Sequence, residues 1–176
     1  MGSHGRANSN GGNHVTIRYL KIVLVVFVSL LCLFYATQNV VNLQAAHGFV
    51  SAALSMAEHV AYPAAFGPAI TSPALVWVAL AVIILLEFAA GLLAAKGAWD
   101  LWSARDATAA AFNDAKTFAL LGCGVGIIVW FGFFTVIGGA YFQMWQTQLG
   151  SASLQGAFQY TMTIGLVLLF LNQPDR

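Results

Sequence analysis

Four stretches of mostly apolar residues, each close to the roughly 20 that a helix needs to cross the hydrocarbon of a bilayer, leave this chain few ways to fold. The first runs from about residue 19 to 41 (YLKIVLVVFVSLLCLFYATQNVV) and the second from 74 to 95 (ALVWVALAVIILLEFAAGLLAA), opened by Pro73, a natural residue for a first helical turn. The third runs from 118 to 139 (FALLGCGVGIIVWFGFFTVIGG), and the fourth, from 154 to 171, has a polar start (LQGAFQYTMT) and an apolar end. Composition points the same way: 60% of the residues are hydrophobic and 7% charged, where a soluble domain carries about 25% charged residues. The expected fold is all-α, a four-transmembrane-helix bundle in one domain, with the lipid bilayer as its first partner. A formal net charge of +1 offers no field for nucleic acid, which is excluded as a partner.

Lys and Arg orient such a bundle, because they favour loops that stay in the cytoplasm. All seven lie on one side: Arg6, Arg18 and Lys21 around the start of the first span, Lys96, Arg105 and Lys116 between the second and third, and Arg176 after the fourth. Loops 42–73 and 140–153 carry none. Tyr19, Trp99 and Trp102 fall at the basic end and Tyr62, Trp77, Tyr141 and Trp145 at the other, as interfacial belts require. Both termini are therefore expected in the cytoplasm. Residues 1–17, rich in Gly, Ser and Asn, read as a disordered N-terminus. Residues 96–117 read as a cytoplasmic helical hairpin turning near Ser103–Asp106, with Asp106 a candidate N-cap, and residues 173–176 as a cytoplasmic tail. Phe34 and Gln44 occupy the minus-three positions before Ala36 and Ala46, so no cleavage site follows the first span, which reads as an uncleaved anchor.

The outer loop 42–73 contains a readable helix. From Asn42 to Val60, Gln44, His47, Ser51, Ser55 and Glu58 recur on one face and Phe49, Val50, Ala53, Ala57 and Val60 fall largely elsewhere. This amphipathic element is expected to lie along the outer interface or to roof the bundle. The following AYPAAFGPAITSP cannot continue a helix and returns the chain to the membrane. His47, Glu58 and His59 offer metal-ligating atoms, but one helix would hold His47 and Glu58 about 16 Å apart and turn Glu58 and His59 about 100° from each other. The second outer loop adds only Gln143, Met144, Gln146 and Gln148. No metal site is expected, no catalytic constellation is evident, and no cofactor is assigned. Cys32 and Cys123 fall inside spans and read as buried apolar residues, unless the first and third helices bring them together as a disulfide.

Glu87 is the one acidic residue deep inside a span. An intramembrane carboxylate is costly and faces a bundle interior or a cavity. Counting from Pro73 sets it just past the midplane, level with Ser29, Cys32, Gly126 and Thr163, and no Lys, Arg or His shares that depth. A neutral acid hydrogen-bonded to Ser29, Thr163 or a main-chain carbonyl is the structural expectation, worth about 1 kcal/mol. A proton-handling or ligand-anchoring group is the functional one. Nearer the outer end, Gln38, Asn39 and Asn42 close the first helix, and Gln155, Gln159 and Thr163 repeat every four residues on the fourth. With Tyr35 and Tyr160 they either cap helix ends or line a cleft whose floor approaches Glu87, able to hold a quinone or lipid head group. Gly122 and Gly126 form a GxxxG step and Ala90, Gly91 and Ala94 a small-residue stripe, so the second and third helices are expected to pack closely.

The strings YATQNVVNLQAAHGFVSAALSM, HVAYPAAFGPAITSPALVW, LLGCGVGIIVWFGFFTVIGGAYFQMWQTQLG and FQYTMTIGLVLLF resemble a family of small integral membrane proteins of proteobacteria that carries a domain-of-unknown-function label. The resemblance covers about residues 18–171. It implies an inner-membrane location, a periplasmic outer side and four spans, and transfers no catalytic residue, substrate or cofactor. Two roles follow from the residues. One is a non-enzymatic accessory, assembly or scaffold subunit, bound to a partner membrane protein or to its own copies. The alternative is a small transporter, proton-coupled carrier or quinone- or lipid-binding unit built around Glu87.

Overall fold

The computed structural model describes residues 9–65 and 67–175. Helix α1 (Ser9–Val41) is followed by α2 (Leu43–Ser55), α3 (Pro73–Ser103), the short α4 (Ala109–Asp114), α5 (Thr117–Ile127) and α6 (Gln148–Asn172). Among the described residues there is no strand, and four helical stretches are long and apolar enough to span a membrane: Thr16–Val41, Pro73–Ser103, Ala109–Tyr141 and Gln148–Asn172. The all-α, four-span architecture is therefore that expected from the apolar runs. Of the N-terminal segment expected to be disordered, residues 1–8 lie outside the described residues, and α1 already runs from Ser9.

Two features place the solvent of this fold. Its interior is tight and its exterior is as apolar as its interior: Phe27, Phe34, Leu85, Leu92, Phe158 and Leu166 are all more than half exposed. Such a belt is stable only against lipid. Inside, α1, α3, α5 and α6 share a core that includes Val25, Cys32, Ala90, Leu101, Phe112, Cys123, Trp130 and Ile164. Cys32 and Cys123 are both buried there as free thiols.

Small residues set how closely these helices approach. A Cβ on Gly97 would collide with the backbone of Ala119, and one on Gly122 would come within 2.9 Å of the Ala90 carbonyl. The α3–α5 contact thus runs through Gly97, Gly122, Ala90 and Ala94. Two of the expected packing glycines serve other neighbours. Gly91 backs onto Leu33 of α1, and Gly126 faces Ile164 of α6 and Cys32 of α1. Residues 90 and 91 point about 100° apart and so meet different partners, whereas 122 and 126 share a face but lie about 6 Å apart along it, far enough for crossing helices to present different neighbours.

The third span changes its winding. After Ile127 the chain continues from Ile128 to Tyr141 with i→i+5 hydrogen bonds, ending in Phe142 N–H to the Ile137 carbonyl (2.9 Å). Thr135 Oγ1 also donates five residues back, to the Trp130 carbonyl (3.1 Å). Winding this wide is uncommon beyond a single turn. The segment walls two cavities described below.

Loop helix α2 is shorter than its sequence pattern, which extends to Val60. Met56 turns the chain at a positive φ of 52°, and Ile70 N–H donates to the freed Leu54 carbonyl (2.9 Å). A returning strand of backbone thus supplies the partner that a helix end needs. Val50, flanked by Ala46, Phe49 and Leu54, packs onto Val76, Leu80 and Ile84, so α2 lies against the first three turns of α3. His47 stacks on Trp77 with ring centres 4.2 Å apart. The two loops at this end are tied together, since Tyr62 N–H donates to Gln146 Oε1 (2.7 Å) and Gln146 Nε2 to the Tyr62 carbonyl (3.2 Å).

At the basic end the charges do more than bias orientation. Lys21 and Lys116 each place Nζ 2.6 Å from Asp175 Oδ2 and donate to the Gln173 carbonyl at 2.8 Å. All three side chains are buried. Arg18 donates to the carbonyls of Arg105 and Ala107 (2.8 Å each), holding the turn between α3 and α4. Thr108, rather than the expected Asp106, caps α4 by accepting from Ala111 N–H.

A buried carboxylate cavity as the candidate functional site

Helix α3 carries Glu87 inward because the residues around it, Leu80, Ile84, Ala90 and Ala94, form its buried face. The carboxylate is 1% exposed. Its hydrogen-bond partner is Asn39, whose Nδ2 donates to Oε2 at 2.9 Å. The partners expected from depth are engaged elsewhere. Ser29 Oγ donates to the Gly91 carbonyl (2.8 Å), one turn further along α3. Thr163 is exposed, and its hydroxyl donates to the Gln159 and Tyr160 carbonyls of its own helix. The reason is directional: helical side chains lean toward the helix N-terminus. Glu87 therefore reaches back toward the α2 end and meets α1 higher than the level of its own Cα.

That reach brings Glu87 into a cavity of about 350 Å³ lined by Tyr35 and Asn39 of α1, Phe49 of α2, Trp130 and Phe134 of the wide-turned segment, and Ala152, Ser153, Gly156, Ala157 and Tyr160 of α6. This is within the size range of small-molecule pockets. The hydroxyls of Tyr35 and Tyr160 are hydrogen-bonded to each other. Their rings and Trp130 form a three-membered aromatic cluster, with centres 6.0 Å apart for Tyr35–Trp130, 5.5 Å for Trp130–Tyr160 and 4.8 Å for Tyr35–Tyr160. The cavity reaches the exposed Ala152 near the start of α6. A second cavity of about 200 Å³ lies beside it, lined almost wholly by apolar side chains of α2, α3 and the wide-turned segment. Phe49 and Phe134, stacked at 6.5 Å, line both.

Of the outer polar cluster expected from sequence, the fold brings Tyr35, Asn39 and Tyr160 to this cavity. It leaves the others outside. Gln155 and Gln159 are exposed on α6. Asn42 turns its amide back onto the Gln38 carbonyl (3.0 Å) and side chain at the end of α1. Every fourth residue makes a helical stripe, but Gln155, Gln159 and Thr163 form the stripe that faces away from the bundle. His47 sits on Trp77, Glu58 is exposed in the turn after α2, and His59 lies beyond it. Among the described residues no three His, Cys, Asp or Glu side chains come together to hold a metal.

Sequence reasoning missed the cavity's aromatic walls, Trp130, Phe134 and Phe49. A signal was present for Trp130, since Trp belongs at membrane interfaces and this one lies mid-span. It also missed the buried Lys21–Asp175–Lys116 group, because a charge near a membrane end looks the same in sequence whether it is solvated or paired.

No curated protein and no solved structure matches the chain. A family model does, over residues 17–174, and this stretch holds all four spans apart from the first residue of α1's apolar stretch, together with every residue of the Glu87 cavity. The chain belongs to the family described as predicted small integral membrane protein (DUF2165).

Proposed function

We propose that this membrane protein receives a small lipid-soluble ligand in the cavity at Glu87, as a binding protein or carrier rather than as an enzyme. The observation that carries this reading is the cavity itself. A carboxylate, an amide and two phenols converge on one partly open space between helices, with aromatic rings among its walls. A few placed polar groups in an apolar pocket are the general pattern of small-molecule sites. A carboxylate serving only to join two helices would need the Asn39 bond but not the space beside it. The same reading places the basic end in the cytoplasm of a bacterial inner membrane, supported by the one-sided distribution of Lys and Arg. The cavity then opens toward the periplasmic side.

Native mass spectrometry from mild detergent tests this. The wild-type chain is expected to carry a small-molecule adduct or to take one up from a lipid extract. Gly156 lines the cavity and a Cβ there would already touch the Tyr160 hydroxyl at 3.4 Å, so Gly156→Leu fills the space and is expected to abolish the adduct. An adduct retained unchanged in the filled variant, or none in either protein, would overturn the reading.

A further inference from the structure

Among the described residues Glu87 has no cationic partner. Along α3 the next basic residue is Lys96, about 14 Å away by helical rise, and it is paired with Asp100 at 2.5 Å. Lys21 and Lys116 are committed to Asp175, and Arg18 to the turn after α3. Tyr35 of α1 and Tyr160 of α6 line the cavity with it, and Cys32 of α1 and Cys123 of α5 are buried in the adjoining core, all ordinarily neutral near pH 7. From α2 the titratable group is His47, which stacks on Trp77. Among the described residues no Lys, Arg or His makes an ion pair with Glu87.

The walls beside this unmatched carboxylate are aromatic except for a small-residue face of α6. Trp130, Tyr35, Tyr160, Phe134 and Phe49 all face the one cavity. A ring face attracts a cation, Trp most strongly, and the attraction is worth most where water is excluded. Asn39 takes Oε2 and leaves the other carboxylate oxygen to whatever occupies the cavity. Neutral hydrogen-bonding ligands would use the Asn39 amide and the one phenol proton that the Tyr35–Tyr160 hydrogen bond leaves over, but would give the carboxylate no counter-charge. A carboxylate with aromatic faces and no internal counter-charge is the complement of a cation too large and apolar to prefer water.

Deepening the cavity reading above, on which it rests, we infer that the Glu87 cavity binds a small organic ammonium ion in exchange for a proton. In the balance, the neutral acid releases one proton and the carboxylate so formed takes up one ammonium, so net charge in the membrane is unchanged. This keeps a buried charge paired in the loaded state and absent in the empty one, which an apolar interior demands.

The probe is benzyltrimethylammonium, compared with neopentylbenzene, its uncharged carbon isostere, on the full chain in nanodiscs with binding read by tryptophan fluorescence and confirmed by native mass spectrometry. The ammonium is expected to bind at least about tenfold more tightly than the isostere, and its affinity to fall about tenfold per pH unit once the acid is protonated. Glu87→Gln is expected to erase both the preference and the pH dependence. Should that variant fail to fold, Trp130→Phe keeps an aromatic ring at this wall and, read by native mass spectrometry, is expected to weaken the ammonium several-fold while sparing the isostere. Equal binding of the two probes, or a preference that survives Glu87→Gln, overturns the ammonium assignment. If the two probes bind equally and Gly156→Leu excludes both, the cavity reading stands without its cation. Failure of both probes to bind overturns the assignment, and joined to the absence of any adduct it overturns the cavity reading as well.

Discussion

Asp175 is a single acid set between two buried amines, and its neighbours determine what its proton costs. Burial alone would push its carboxyl up, but the hydrogen bonds and charges of Lys116 and Lys21 outweigh it and hold Asp175 below the ordinary Asp value. A depressed acid contributes stability that is full above its unfolded value and lost as pH falls through the folded one. The docking of the C-terminal residues onto α1 and the α4–α5 junction is therefore expected to persist at neutral pH and to loosen in acid, which hydrogen exchange at Gln173–Asp175 as a function of pH would follow. Asp175→Ala leaves Lys21 and Lys116 facing each other without a counter-charge and is expected to cost about 3 kcal/mol. A detergent-unfolding curve within about 0.5 kcal/mol of wild type would mean that both amines find water instead. Glu87 is the contrasting residue. Its costly position was legible from the sequence, because any carboxylate in the middle of an apolar run must be buried or satisfied. Its partner was not, because depth along a helix gives a level and the lean of the side chain adds most of a turn.

The elements owe their positions to small residues at a few crossings. Gly97 and Gly122 let α3 and α5 touch backbone to backbone, whereas Gly124 and Gly165 have nothing within 4 Å of where a Cβ would stand. Gly97→Leu is accordingly expected to lose 3 kcal/mol or more, since backbone cannot yield as a side chain can. Gly165→Ala should stay within about 1 kcal/mol of wild type. Equal losses at both sites, measured by unfolding in mixed micelles, would remove the crossing from the account of stability. Helix α2 followed its apolar pattern only in part. The pattern extended it to Val60, but the Met56 turn and the Ile70–Leu54 hydrogen bond end it after Ser55, and periodicity has no term for a distant backbone group that competes for a helix's last carbonyl. The wide winding of Ile128–Tyr141 was equally hidden, since aromatic and β-branched residues in an apolar run suit either coil.

For the whole molecule, orientation is the property that decides what the cavity opens to. With Cys32 and Cys123 fully buried, single cysteines at the exposed Ser103 and Ser151 give a clean readout. A membrane-impermeant thiol reagent added from the periplasm is expected to label Ser151→Cys and spare Ser103→Cys, and the opposite pattern would reverse the topology. The four spans, the end that carries the cations and the presence of one buried acid followed from the sequence alone, because lipid as solvent enforces them residue by residue along each helix. Which side chains meet that acid was settled only by the tertiary structure. Asn39 and Glu87 stand 48 positions apart on helices whose tilt and rotation come from packing at Gly91, Gly97 and Gly122, and from those the aromatic cavity beside Glu87 follows.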